Sequence, residues 1–226
     1  MFKDKDFILE ESYKGMSEIV DEFSTAGILH FREVEPSETA LCIVDVINGF
    51  MKFGALANPD AMKIVANISR LAKMMTETGS IVCAVNDSHE KDSPEFDSFP
   101  VHCLKNSEES KLVGELEWLY GYEKFHPFNK QSTNAFHEYF RQDAMQASKN
   151  ISNIIVTGVC TDICVMQFAL SLKTYFNSIN RKCRVIVPLN CVDTYDAPSH
   201  NRVLMNAMAV KMMRVAGVEI AAEIVY

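Results

Sequence analysis

Ile151-Ser-Asn-Ile-Ile-Val-Thr-Gly158-Val-Cys160-Thr-Asp-Ile-Cys164-Val165 is the stretch whose reading decides the fold. A short, continuous apolar run ends at a glycine, and a helix-like apolar segment, Asp162 to Phe176, starts almost at once. A strand that is apolar without alternation is buried on both faces, which is the habit of parallel sheets covered by helices. The tight strand-to-helix turn exposes the first backbone N–H groups of the helix, whose positive end favours an anion. A cysteine in that first turn gains thiolate character, and the same amides can hold an oxyanion. The alternative is that Cys160 and Cys164 are small apolar packing residues, the usual fate of a free cysteine.

The same alternation continues on both sides. Upstream, Ala40 to Asp45 is an apolar run ending in a carboxylate. Pro59 to Thr78 follows, with Met62, Val65, Ile68, Leu71 and Met75 at helical spacing between an initial proline and Gly79. Ser80 to Val85 is a strand running into Asn86-Asp87, Tyr122 to Phe128 a further strand, and Asn134 to Ala147 a helical segment. Downstream, Cys183 to Leu189 and Val218 to Ile224 are strands around a helix over Ser199 to Ala216. The expected fold is a three-layer α/β/α domain with a mainly parallel sheet of about six strands. Residues 1–38 are read as an N-terminal extension and 39–226 as the domain. Working residues in such sheets gather at the strands' carboxyl ends. That rule selects Asp45, Asp87 and the Cys160–Cys164 turn.

Composition narrows the class. The chain has 226 residues, 48% hydrophobic and 23% charged, and a net charge of −8. Nucleic-acid and anionic-membrane partners need clustered Lys and Arg, so neither is expected. No signal-like apolar run follows the N-terminus, and seven cysteines, an odd number, suggest reduced thiols rather than disulfides. The cytoplasm is the expected compartment. The four-residue spacing from Cys160 to Cys164 excludes a two-residue redox or zinc knuckle.

Four separated segments, from Thr39 to Val225, resemble the isochorismatase-like cysteine hydrolases, and among them the nicotinamidases. Asp45-Val-Ile-Asn-Gly-Phe50 matches a strand-end Asp-x-x-x-x-Phe; Lys130-Gln-Ser-Thr-Asn-Ala-Phe136 matches a lysine shortly before Asn-Ala-Phe; Gly158 to Val165 matches the nucleophile elbow Gly-x-x-Thr-Asp-x-Cys-Val. The resemblance implies Cys164 as nucleophile with Asp45 and Lys130 beside it. It also implies backbone N–H groups of Cys160 and Cys164 around the oxyanion, and a cis peptide at Val159–Cys160. Asp87-Ser-His89 followed by Phe99-Pro-Val-His102 resembles the family's metal site, with Glu95 at the spacing of a further carboxylate. Such a set suits one divalent ion, zinc first, with manganese or iron as alternatives. Phe50 and Phe99 are candidates to flank a flat substrate ring.

Two departures concern the substrate. Ile47 and Gly49 replace a Gln and an Asp frequent in the first motif, and Gln131 to Asn134 is polar where many nicotinamidases carry an aromatic residue. The implied activity is hydrolysis of a small amide, nicotinamide first, by a homo-oligomer. The alternatives are a metal-independent hydrolase of another amide or a vinyl ether, and a non-catalytic scaffold. His30, His126, His137 and His200 show no partner spacing and read as structural or surface residues; Met208, Met212 and Met213 read as core.

Overall fold

The computed structural model describes residues 4–141 and 150–226. Among the described residues nine strands are formed: β1 Leu29–His30, β2 Thr39–Val44, β3 Ile81–Asp87, β4 Phe125–Lys130, β5 Asn153–Val159, β6 Arg184–Pro188, β7 Val192–Asp193, β8 Glu219–Ala221 and β9 Ile224–Val225. Seven build one parallel sheet in the order β4-β3-β2-β5-β6-β8, with β7 paired to the end of β5. β1 and β9 form a separate parallel pair.

Alternation along each strand divides the core in two. Leu41, Ile43, Val82, Ala84 and Ile155 meet the helix Val65–Glu77 through Ile68, Leu71, Ala72 and Met75. Ala40, Cys42, Val44, Cys83, Val85, Ile154 and Val156 face the opposite layer, where the helices Met166–Ser178 and Arg202–Val215 supply Phe168, Ala169, Leu172, Val210 and Met213. The three-layer α/β/α arrangement follows from strands with no polar face to turn outward. Among the described residues no helix is long and apolar enough to cross a membrane.

Several boundaries differ from the sequence reading. The segment from Pro59 begins as a 3-10 turn over Pro59–Ile64 before the α-helix takes over at Val65. The fourth strand runs on to Lys130, because pairing with β3 continues through Asn86↔Asn129 and Asp87↔Lys130. The helical segment after Asn134 is seen as Phe136–Arg141; its continuation over residues 142–147 lies outside the described residues. Met213 is buried as expected, whereas Met208 and Met212 are exposed at 43% and 55%. Methionines recur there at helical spacing, but the helix turns only part of that stripe inward. A helix over Lys5–Ser24, capped by Asp4, rests on the Arg202–Val215 helix through Lys211 and Glu22.

Candidate active site

Four adjacent strand ends meet at one edge. In sheet order β4 ends on Lys130, β3 on Asp87, β2 runs into Asp45, and β5 runs into the turn holding Cys160 and Cys164. Asp45 leaves its strand in the left-handed region (φ 55°), while its N–H still donates to Val85 O at 3.0 Å. Its Oδ1 accepts from the Asp87 N–H at 2.8 Å. Lys130 is fully buried and spans the group: its ammonium lies 2.8 Å from Asp45 Oδ2, donates to Asp87 Oδ1, and reaches Cys164 Sγ at 3.8 Å. The Asp45, Lys130 and Cys164 side chains, placed together by motif resemblance, are therefore within mutual reach.

A lysine enclosed this way keeps its charge, because desolvation disfavours the ammonium but two carboxylates outweigh it. Its pKa is held well above the ordinary value by Asp45 and Asp87. Burial and the neighbouring Asp87 charge push Asp45 up to about 6, against the pull of Lys130. Burial also raises Asp87, but Lys130 and the neighbouring His102 and His89 rings prevail and hold it below the carboxylate range. The Cys164 thiol is driven well above its usual value by burial, with Lys130 opposing. A thiol that holds its proton lies beside a carboxylate that can accept one. The arrangement suits transfer on demand rather than a standing thiolate.

The elbow depends on Gly158. Its φ is +114°, and a Cβ there would fall 1.9 Å from Val44 O and 2.9 Å from Val44 N. Only glycine lets β5 approach β2 this closely at its end. The Val159–Cys160 peptide bond is cis. Residues Thr161–Val165 form a π-helical turn that runs into the Met166–Ser178 helix, so the helix starts later than its apolar pattern suggests. The polar segment after Lys130 is tied down on two sides. Gln131 accepts from the Glu90 N–H at 3.0 Å, Thr133 donates to Gln167 at 2.9 Å, and Asn134 donates to Ser171 at 2.9 Å.

Beside Lys130 lies a second group of donors. Ligand atoms of Asp87, His89, Glu95 and His102 all fall within 4.8 Å of one another. The His89 N–H donates to Cys103 O and its carbonyl accepts from the Lys105 N–H, so two loops run alongside and deliver both imidazoles. His102 Nδ1 donates to Pro100 O at 2.8 Å, which leaves the Nε2 lone pair facing Asp87 and Glu95 at 3.6 and 3.9 Å. His89 Nε2 is buried and has no hydrogen-bond partner. Two imidazole lone pairs and two carboxylates converging on one space fit a divalent cation of the zinc, manganese or iron type. Cys103 is buried, and its thiol is pushed out of the useful range by desolvation.

A cavity of about 320 Å³ opens onto both groups. Phe50 and Phe99 line it, along with Leu56, Ile163, Asn58 and Tyr195. Sequence reasoning missed the last four. Leu56 and Asn58 lie in a segment without periodicity, and Tyr195 follows a two-residue strand too short to leave a pattern. Phe96 was also passed over; its ring meets those of His89 and His102 edge-on at 5.3 and 5.7 Å. His200, read as structural or surface, is paired with Asp162 at 2.7 Å.

A parallel sheet whose ends gather a thiol, a carboxylate and an ammonium describes a cysteine hydrolase of the α/β/α class, and residues 39–219 match the Isochorismatase domain. The chain belongs to that family of hydrolases. Over 179 residues it is 33% identical to Nicotinamidase 1 of Arabidopsis thaliana, spanning 73% of this chain and 72% of the relative. The crystal structure of a nicotinamidase from Bacillus subtilis superposes with a TM-score of 0.68 at 25% identity, covering 81% of this chain and 99% of that one. N-carbamoylsarcosine amidase from Thermoplasma acidophilum gives 0.64 at 25% identity, covering 81% and 95%.

Proposed function

We propose that the chain is a nicotinamidase-type amidohydrolase that converts nicotinamide to nicotinate and ammonia through a thioester on Cys164. The observation that carries this reading is Lys130, a buried ammonium touching Asp45, Asp87 and the Cys164 sulfur, behind an aromatic cavity that Asp87 and Cys164 line. A charge so buried is costly, and a scaffold has no use for it beside a thiol.

In this reading Asp45 accepts the Cys164 proton as sulfur attacks the amide carbon. Lys130 offsets the negative charge that then resides on the site. The oxyanion of the tetrahedral species is held by the backbone N–H groups of Cys160 and Cys164. As the C–N bond breaks, Asp45 returns the proton to the leaving nitrogen and ammonia departs. Water then attacks the thioester, giving its proton to Asp45. The carboxylic acid leaves, and the thiol recovers its hydrogen. Phe50 and Phe99 flank the ring. Asp87, His89, His102 and Glu95 would hold the divalent ion, zinc first, which when bound supplies a Lewis-acid anchor for a lone pair of substrate or water.

The test is ammonia release from nicotinamide by the purified protein, before and after chelation, with metal content measured on the same sample. Turnover that chelation lowers, and one equivalent of ion, are expected. Similarity to N-carbamoylsarcosine amidase favours a second reading, a hydrolase of a non-aromatic amide. Release of ammonia from such amides but not from nicotinamide would select it.

A further inference from the structure

Asp162 and His200 form a part-buried pair that the reaction just described does not use. His200 Nε2 lies 2.7 Å from Asp162 Oδ2, and the two side chains are 11% and 6% exposed. The other ring nitrogen, Nδ1, lies 3.1 Å from the carbonyl of Tyr195. Each ring nitrogen thus faces an oxygen, Asp162 on one side and the Tyr195 carbonyl on the other. The Tyr195 ring lies flat on the same imidazole, with centroids 3.8 Å apart and planes 8° apart. One side chain therefore holds Tyr195 by its backbone and by its face.

The pair joins two parts of the site. Asp162 lies in the nucleophile turn, two residues before Cys164, and Tyr195, Asp196 and Ala197 line the cavity. The loop between them closes on itself, since the Ala197 N–H donates to His200 O and the His200 N–H donates to Ala197 O. Its base is clamped at Asp193, whose Oδ1 accepts from Arg202 at 2.9 Å and from Asn206 at 3.2 Å. From across the cavity Asn58 donates to Thr194 O at 3.2 Å. The Asp193 contacts hold the loop's root, and the Asp162–His200 pair ties its tip to the turn carrying the nucleophile, beside contacts of the Cys160 thiol with Thr194 and the Tyr195 backbone.

We propose that Asp162 and His200 are positioning residues that hold Tyr195–Ala197 as a fixed wall of the amide pocket, and so set how tightly a flat substrate is kept beside Cys164. The proposal rests on the reading of this cavity as the amide site. Neither residue touches the reacting atoms, so their loss weakens binding while leaving the chemical step nearly intact. In His200→Ala, KM for nicotinamide rises about tenfold and kcat stays within about threefold, as removal of two hydrogen bonds and a stacking face implies. Asp162→Asn keeps an acceptor and falls between this variant and the parent. The double variant is no worse than His200→Ala alone, because the two residues act through one contact.

A second arm does not depend on turnover. Iodoacetamide, itself a small carboxamide, is used to alkylate Cys164, read by the mass of its peptide. A loosened wall makes that labelling faster in His200→Ala than in the parent. A fall in kcat at constant KM, additive losses in the double variant, or an unchanged labelling rate would each overturn the proposal. Should the parent hydrolyse no carboxamide, the functional reading fails and the labelling rates alone decide about the wall. Thermal unfolding of each variant shows whether it has folded, and Asp162→Asn carries the comparison if His200→Ala has not.

Discussion

Lys130, Asp87 and Asp45 stand where neighbouring strands end, whereas Glu95, Tyr195 and His200 stand on the connecting segments outside the strands. The strand-end group is held by the sheet itself. Pairing of Asp87 with Lys130 continues the β3–β4 ladder, and the β2–β5 ladder runs through Val44 and Gly158 to the edge of the elbow. The loop group is held by hydrogen bonds made one at a time, such as His102 to Pro100 O and His200 to Tyr195 O. A sheet positions side chains as a by-product of folding; a loop must be fastened at each residue. If this contrast is sound, damage at strand ends should cost both chemistry and stability, and damage on loops should cost binding alone.

The largest effect is expected for Cys164→Ala. Ammonia release should fall by at least about 10⁴-fold, the scale seen when a nucleophile is removed, while alanine suits the helix that follows. Cys160→Ala should stay within a few-fold of the parent, since its proposed role uses only the backbone N–H; its thiol is pushed up to about 12 by burial, and the Lys130 ammonium lies against the Cys164 sulfur instead. Parallel assays of the two variants check this. Comparable losses in both would place the sulfur chemistry on the wrong residue or on neither.

Lys130→Met comes next. It leaves Asp45 and Asp87 buried side by side with no counter-charge, a change that costs on the order of 3–5 kcal/mol in comparable pairs. Chemical denaturation at neutral pH should show a loss of that size, together with a fall in turnover. The loss should shrink as pH is lowered, because protonating Asp45 relieves the repulsion. A variant as stable as the parent at neutral pH would mean that the ammonium is not the keystone of the strand-end group, and the contrast with the loops would lose its basis.

How far the sequence could be read follows the same division. The parallel sheet, the Gly158 elbow and the acids ending β2 and β3 were all visible as apolar runs broken by a glycine or a carboxylate. Lys130 was reached only through the motif it shares with relatives, since Phe125–Lys130 includes Pro127 and Asn129 and carries little strand signal. Asp162 and His200 are 38 residues apart and obey no period, so nothing in the one-dimensional pattern links them. Met208 and Met212 stand exposed for a related reason. Helical spacing identifies a stripe, but only packing decides which edge of the stripe meets the core.

The smallest expected effect is also the one that probes the strand-end group without altering a residue. Asp45 must be ionised to take the proton from Cys164, and burial with the Asp87 charge raises its pKa to about 6. An acid with a raised pKa gains its proton early as pH falls, so kcat/KM should decline below about pH 6, approaching tenfold per unit. Above that value the carboxylate is available, and Cys164, raised by burial, still carries the proton to be transferred. The plateau should therefore extend through neutral pH. Lys130 opposes the rise in Asp45, so Lys130→Met should carry its residual activity on a limb displaced to higher pH. His200→Ala should leave the limb where it stands, because the loop group exchanges no proton with the reacting sulfur. A limb that moves in His200→Ala and not in Lys130→Met would reverse the assignment of chemistry to the strand ends and of binding to the loops.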